Sequence, residues 1–194
     1  LYLPYKPKRR TRAQIAREAG LEPLAKLLLA APETVPEEAA AGYVDADKGV
    51  ADVKAALEGA RNILIEQFSE DAVLIGQLRE RVQRQGVLRA KVIADLPQDK
   101  QAEAARFSDY FDYDEPLARI PSHRALALLR GRSLGVLGIA LDPEPARADG
   151  APSEYEALVA KRFAVTNQNR AADRWLADTV RLAWRARMLT HLEI

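Results

Sequence analysis

The sequence contains no cysteine, and aromatic residues make up only 6% of it. Without cysteine the chain can form neither a disulfide nor a thiolate metal site, which suits a reducing cytoplasm. No apolar run approaches the roughly 18 residues that a membrane-spanning helix needs. The first residues do not have the pattern of a signal peptide. We therefore expect a cytoplasmic protein that does not span a membrane.

The sequence also lacks a coherent catalytic or metal-binding pattern. Ser122 and His123 are adjacent, so on a helix their side chains point apart and cannot form a nucleophile–base pair. The acid-rich residues 109–115 lack the glycine that gives a calcium loop its sharp turn. We expect those residues to form a turn whose aromatic side chains pack on the core. The chain is predicted to have no catalytic activity, metal or cofactor.

Helix-forming residues dominate what is present. Hydrophobic residues make up 48% of the chain, and Ala and Leu are more plentiful than β-branched or aromatic residues. Apolar residues recur at helical spacing in most long segments, most clearly over residues 50–68. Only residues 87–93 and 134–141 have the length and composition of strands. The predicted fold is mainly α, with several helices, at most one small strand pair and a long C-terminal helix.

The clearest linker is the proline-containing segment of residues 142–152. It predicts a division into an N-terminal helical region, residues 1–141, and a helical segment, residues 153–194. The chain begins without Met, and its last residues have a helical pattern with no stop signal. We therefore expect it to be a piece of a longer protein.

The first 17 residues carry six cations and no acid, whereas the whole chain has a net charge of only +1. Pro4 and Pro7 favour an extended start over a helical one, so we predict a basic arm. Such an arm could contact phosphates or an acidic partner surface, or it could pair with carboxylates of its own domain. The candidate nucleic-acid-binding residues are Lys6, Lys8, Arg9, Arg10, Arg12 and Arg17.

A helical hairpin is predicted after the arm. Thr11 and Gln14 have the spacing of a capping box, and Gly20 suits the left-handed residue that ends a helix. Pro23 suits the first turn of the next helix. The outline is that of a helix-turn-helix, except that Lys26 stands where a buried aliphatic residue is expected. Two interpretations stay open: an ordinary hairpin in a larger α-domain, or a unit that reads nucleic acid.

The last predicted helix, about residues 170–194, has two apolar faces instead of one, with Trp184 on one and Trp175 on the other. It is either the central helix of a bundle or a connecting helix that also packs on another domain. In the second case, one tryptophan should be substantially exposed in a monomer. A stripe of arginines between the faces could touch phosphates or pair with nearby acids; it comprises Arg170, Arg174, Arg181 and Arg185.

Four stretches, in order along the chain, resemble the N-terminal region of the bacterial Tex family of transcription accessory proteins. They are residues 1–25, 44–53, 111–117 and 120–128. No single stretch is a catalytic motif, but together they span most of the chain. In that family, an RNase-H-like domain, a helix-hairpin-helix module and an OB-fold RNA-binding domain follow this region, and none of the three is present here.

The resemblance implies a non-catalytic helical region that supports nucleic-acid binding and contact with the transcription machinery. Its partners would be DNA or RNA, bound weakly and without sequence preference, and the remaining domains of the full-length protein. The alternative is a purely structural or protein-interaction scaffold. In that case the missing C-terminal domains alone would bind nucleic acid.

Overall fold

A computed structural model describes residues 10–192, so the predicted arm residues Lys6, Lys8 and Arg9 lie outside the described part. The fold is mainly α, as predicted, with one small antiparallel sheet and a long C-terminal helix. No helix within the described range is both long and apolar enough to cross a bilayer. The chain divides into two compact units, which are described separately below.

Unit 1 combines the residues up to Ile75 with Glu154–His191, and it is helical. A 3₁₀ turn, Ala46–Lys48, precedes the longest of its helices. Helix α5 (Ala72–Gln85) begins in this unit, and the last helix contains a π-helical stretch, Ala183–Met188, that is followed by α10 (Leu189–Leu192). The other helices are α1 (Arg12–Glu18), α2 (Glu22–Ala30), α3 (Pro36–Ala41), α4 (Val53–Ser69), α8 (Glu154–Arg162) and α9 (Asp173–Leu182).

Helix α4 is the centre of unit 1, and α1, α2, α3 and α9 pack against it. It begins at Asp52, whose side chain accepts a hydrogen bond from the Ala55 amide at 2.7 Å. Ala60, Leu64 and Phe68 are buried at the predicted helical spacing, whereas Val53 and Leu57 are only half-buried. At Gly59 the helices approach so closely that an added Cβ would overlap Leu21 and come within 3.3 Å of Ala16. The packing of α1 on α4 therefore requires glycine at this position.

The hairpin formed by α1 and α2 has the predicted local structure. The Gln14 amide donates to Thr11 Oγ1 at 3.1 Å, and the Thr11 amide donates to Gln14 Oε1 at 3.0 Å, which confirms the capping box. Gly20 has a φ of +81°, the left-handed conformation predicted for it. Lys26 lies on the exposed side of α2 and pairs with Glu22 at 3.4 Å.

Two aromatic stacks lie in unit 1. The rings of Phe68 and Phe163 are 4.1 Å apart, and those of Tyr155 and Trp184 are 4.4 Å apart and nearly parallel. Tyr155 and Trp184 are both buried, so the Trp184 face of the last helix belongs to the core. Aromatic pairs of this kind stabilise a fold by about 0.5–1.5 kcal/mol beyond the area they bury.

Unit 2 contains the rest of α5, residues up to Ser153 and the end of the described chain. Its sheet has the order β2 (Asp112–Pro116), β1 (Val87–Val92), β3 (Leu137–Asp142), with β1 paired to both neighbours. The helical elements around the sheet are α6 (Gln98–Ala104), a 3₁₀ segment (Ala105–Tyr110) and α7 (Ser122–Ser133). The predicted strands at residues 87–93 and 134–141 correspond to β1 and to β3 (Leu137–Asp142), which pair as expected.

The sheet has one strand more than the predicted pair. Strand β2 (Asp112–Pro116) lies in the acidic segment that was expected to form a turn. Two of its three acids are paired: Arg89 Nη1 lies 2.9 Å from Asp114, and Arg124 Nη1 lies 2.8 Å from Glu115. Period-two alternation of acids and aromatic residues was the available signal, and the density of charge obscured it.

The two units do not follow the predicted boundaries at residues 142–152. Helices α8 and α9 belong with the N-terminal helices, because α9 packs on α4 and the Ala172 amide donates to the Pro32 carbonyl at 2.9 Å. Residues 76–153 form their own unit around the sheet. Such long-range pairing leaves no trace in local composition, so a linker signal alone could not reveal it.

Candidate nucleic-acid interface

The described residues of the basic arm lie at the start of α1. Arg10 is exposed, and its guanidinium lies 2.5 Å from Glu18. Arg12 is also exposed and makes no ion pair with any described residue. The arm and the hairpin are continuous here, because Thr11 caps α1 immediately after Arg10. Of these two arginines, Arg12 is therefore the one whose charge is not compensated within the described chain.

Arg17 is held within unit 1. Its Nη1 donates to Glu66 Oε1 at 2.5 Å, Thr11 Oγ1 donates to Glu66 Oε2 at 2.9 Å, and Arg187 lies 3.7 Å from the same carboxylate. Glu66 is 5% exposed. Burial raises the pKa of Glu66, but the hydrogen bonds from Arg17 and Thr11 outweigh it, so the pKa is lowered overall. This contact joins α1 to α4, as expected of a structural arginine.

Most of the predicted arginine stripe is also paired. Arg170 lies 2.9 Å from Asp173, Arg185 Nε donates to Glu156 at 3.1 Å, and Arg181 pairs with Asp178. Arg174 is exposed and has no ion pair with a described residue. The hydrogen bond from Arg170 is the largest cause of the lowered pKa of Asp173. As a set, therefore, the stripe does not present four uncompensated charges.

A groove of about 930 Å³ opens on unit 1 between the first and last parts of its sequence. We call it the Trp175 groove. Its lining combines aliphatic side chains, one indole and charges of both signs, with cations in excess of acids. It is formed by Arg12, Ala13, Glu37, Val53, Lys54, Leu57, Glu58, Arg61, Asn62, Ile65, Trp175, Leu182, Ala186, Arg187 and His191.

Three of its cations have no acidic partner among the described residues: Arg12, Lys54 and Arg61. Arg61 is positioned by other contacts, since its Nε donates to Thr179 Oγ1 at 3.2 Å and its guanidinium lies 5.2 Å from the centre of the Trp175 ring. That distance is within the range of a cation–π interaction. The groove thus contains a half-buried arginine fixed on an aromatic ring, beside two exposed cations.

The second apolar face of the last helix lines this groove. Trp175 is half-buried, and Leu182 is 40% exposed. Trp175 is therefore less exposed than the connecting-helix interpretation predicted, although its face is clearly more open than that of Trp184. The indole Nε1 is buried and has no hydrogen-bond partner in the described chain, which is uncommon for a buried donor.

Lys54 and Arg61 were missed as candidates because α4 was interpreted as a core helix. They are seven residues apart, so two helical turns place them on the same side of α4. The hydrophobic periodicity of α4 was the stronger signal, and it says nothing about which polar residues face a groove. No three His, Asp or Glu side chains in the described range lie close enough together to hold a metal ion.

A family profile and the sequences of known proteins both assign the chain to the same family. A profile described as Tex central region-like matches residues 31–194. The chain is 51% identical to the Transcriptional accessory protein Tex of Neisseria gonorrhoeae, 50% to Protein YhgF of Escherichia coli K12 and 44% to Protein tex of Bordetella pertussis. Each alignment covers the whole chain. The chain spans about a quarter of the length of these relatives, 24–25%.

Proposed function

The chain belongs to the Tex family, and from that premise we propose that it is a non-catalytic region through which a transcription accessory protein contacts nucleic acid. One relative is named a transcriptional accessory protein. We propose nucleic acid and the transcription machinery as the partners of this chain, and a cytoplasmic location because bacterial transcription takes place there.

The observation that carries the proposal is the set of cations without acidic partners in the Trp175 groove. Arg12, Lys54 and Arg61 lie along it, and Arg12 directly continues the basic arm. Phosphates are bound by such cations without reading sequence, and aromatic side chains can add base stacking. Two acids, Glu37 and Glu58, share the groove and reduce its net positive charge. We therefore expect weak, salt-dependent and sequence-tolerant binding.

Fluorescence anisotropy with labelled single- and double-stranded DNA and RNA, each at two salt concentrations, tests this. The double variant Arg12→Glu with Lys54→Glu should weaken binding of every probe. If both residues contact phosphates, the slope of log affinity against log salt on duplex DNA should become shallower by about 1.8. The matched control reverses the exposed Lys26 and Lys161, which lie outside the groove and change the net charge equally.

A second variant tests the whole basic arm, including Arg12, which the arm shares with the groove. Reversal of Lys8, Arg9, Arg10 and Arg12 to Glu removes about four potential phosphate contacts, which together contribute roughly −3.6 to the slope on duplex DNA. We expect this variant to lose binding while it keeps its helical circular dichroism spectrum. Equal losses in the groove variant and its control, or no binding at low salt, would overturn the proposal.

The alternative function is a structural or protein-interaction scaffold, and a specific observation favours it. Arg17, Arg170, Arg181 and Arg185 are paired with acids of the chain itself. Arginines satisfied in this way contribute little to a phosphate-binding surface. In that case nucleic-acid binding would reside in the remaining three quarters of the longer relatives.

A further inference from the structure

A second groove, in unit 2, has a different chemistry. It has a volume of about 250 Å³. Strands β1 and β3, helices α5 and α7, the loop after β2 and Leu192 of α10 contribute side chains to it. We call it the Leu129 groove. Leu88 and Leu141, which are direct cross-strand partners, lie in it together with Ile139. Leu129 of α7 lies in the groove as well and is 41% exposed.

The groove adjoins the core of unit 2. Leu128, Val136 and Leu137 of that core are at most 1% exposed, and Leu88 and Ile139 of the groove pack against it. Leu88, Ile139 and Leu141 are only half-buried, so the helices cover the sheet incompletely at the groove. A cluster of partly exposed aliphatic side chains is the usual mark of an interaction surface.

The size and lining of the groove narrow the choice of ligand. Its volume is below the roughly 300–1,000 Å³ typical of small-molecule pockets, so it suits one or two anchoring side chains better than a cofactor. No aromatic residue among the described ones lines it, so it offers no platform for stacking nucleobases. The Leu129 groove therefore fits a protein segment, in contrast to the Trp175 groove.

The charge around the groove selects the kind of segment. Arg79 and Arg132 are the charged residues among those that line it, and no described acid does so. Arg79, and Arg119 in the loop before α7, make no ion pair with a described residue, whereas Arg124 of α7 pairs with Glu115. A partner segment with acidic residues beside its apolar anchors would be attracted to this surface, and a basic one would be repelled.

We propose that the Leu129 groove binds an acidic amphipathic helix of a protein partner, with leucine-like side chains as anchors. The walls are side chains of two helices and a sheet face, and not the open backbone of an edge strand. Two side-chain anchors at i and i+3 or i+4 of a helix match such a groove, whereas β-strand addition would not use it. The inference stands independently of nucleic-acid binding, because it concerns other residues.

A displayed library of helical peptides of about 16 residues tests the proposal. Its anchor positions and flanking positions are randomised, and selection is carried out on the 194-residue chain. We expect enriched peptides to have Leu, Ile, Met or Phe at the anchors and Asp or Glu at the flanks. Synthetic versions should shift the methyl NMR signals of Leu88, Ile139 and Leu141, which line the groove.

Matched variants decide where the enriched peptides bind. Leu129→Glu should weaken binding at least tenfold, whereas Leu126→Glu should leave it unchanged, because Leu126 lies on the same helix, is 66% exposed and does not line the groove. Arg79→Glu should weaken binding several-fold at low salt, and Arg84→Glu, on the same helix but outside the groove, should not. Circular dichroism confirms that each variant is folded.

Several results would overturn the inference. They are no enriched peptide, enrichment of basic peptides, or equal sensitivity to Leu126→Glu and Leu129→Glu. A concentration-dependent dimer in light scattering that Leu129→Glu dissociates would assign the groove to a second copy of the chain instead. Leu129→Glu should not affect nucleic-acid affinity, so failure of this inference can be distinguished from failure of the proposed function.

Discussion

The two units differ in which side chains they leave without a partner inside the chain. In unit 1 the largest groove is lined by cations without acidic partners and by an indole. In unit 2 Arg89 bridges Asp114 and Asp142 on one face of the sheet, and the groove on the other face is mainly aliphatic. Under the two proposals above, the two units would therefore have chemically different partners.

The units also differ in the kind of ionisable group that they hold by hydrogen bonds. Unit 1 holds a carboxylate, Glu66, between cations from distant parts of the sequence. Unit 2 holds a neutral phenol, Tyr113, whose hydroxyl donates to Glu115 and accepts from Arg124 at 2.9 Å. The first arrangement is sensitive to acid and the second to alkali, so pH can separate the stability of the two units.

The largest effect is expected for Glu66→Gln. The change removes the charge that holds Thr11, Arg17 and Arg187, and charged hydrogen bonds of this kind contribute about 1.5–3 kcal/mol each. We expect the free energy of unfolding of unit 1 to fall by about 2–3 kcal/mol at neutral pH. Urea denaturation followed by tryptophan fluorescence measures this, because both tryptophans lie in unit 1.

The effect of Glu66→Gln should depend on pH in a definite direction. The pKa of Glu66 is lowered in the folded protein. The stabilisation that the carboxylate provides is therefore present above the pKa of the unfolded chain, about 4.3, and is lost as the pH falls through the lower pKa of the folded protein. The control, Glu18→Gln, breaks an exposed pair with Arg10 and should cost less than about 1 kcal/mol. If both variants lower the free energy of unfolding by the same amount, Glu66 does not hold Arg17 in place, and Arg17 is again a candidate phosphate ligand.

The next largest effect on stability is expected from substitutions at two glycines in helices. Gly59→Ala should destabilise unit 1 by about 1–3 kcal/mol, because the added Cβ overlaps Leu21 in the contact between α1 and α4. Gly76→Ala in α5 has no atom within 4 Å of the added Cβ and should be stabilising by about 0.5–1 kcal/mol. Thermal unfolding followed by far-ultraviolet circular dichroism compares them. A stabilising Gly59→Ala would show that α1 can move away from α4 without loss.

Local features of the fold could be predicted from the sequence, because they depend on residues close in the chain. The capping box at Thr11, the left-handed Gly20 and the antiparallel pair of β1 and β3 all have short-range signals. Strand β2 was missed because its backbone partner β1 and the arginines that pair with its acids, 25 residues earlier in Arg89–Asp114 and 9 residues later in Arg124–Glu115, lie outside the segment itself. No local pattern contains that information.

The candidate site was only partly predictable for a similar reason. The sequence identifies Arg12 as part of a basic segment, but it cannot tell that Arg17 meets Glu66 from a position 49 residues away. The Trp175 groove brings α1, α4 and the last helix together, and a single chain gives no sign of that juxtaposition. The positions of Lys6, Lys8 and Arg9 lie outside the described residues, and their role stays a prediction.

The smallest effect should appear in unit 2 at high pH. The hydrogen bond to Glu115 is the largest cause of the raised pKa of Tyr113, burial raises it further, and Arg124 opposes both. Because this pKa is raised in the folded protein, the stabilisation that the neutral phenol provides is fully present below the pKa of the unfolded chain, about 10. It is lost as the pH rises through the pKa of the folded protein. Tyr113→Phe should therefore remove a late step from the phenolate absorbance titration.

Glu115→Gln provides the matched test, because it keeps Tyr113 and removes the neighbouring negative charge that disfavours its ionisation. The Tyr113 step should then move to lower pH, and the acid dependence of tryptophan fluorescence in unit 1 should stay as in the unaltered chain. A Tyr113 step that does not move would mean that Glu115 is not the cause of the shift. A change in the acid transition of unit 1 would mean that the two units do not respond to pH independently, and the comparison between them would fail.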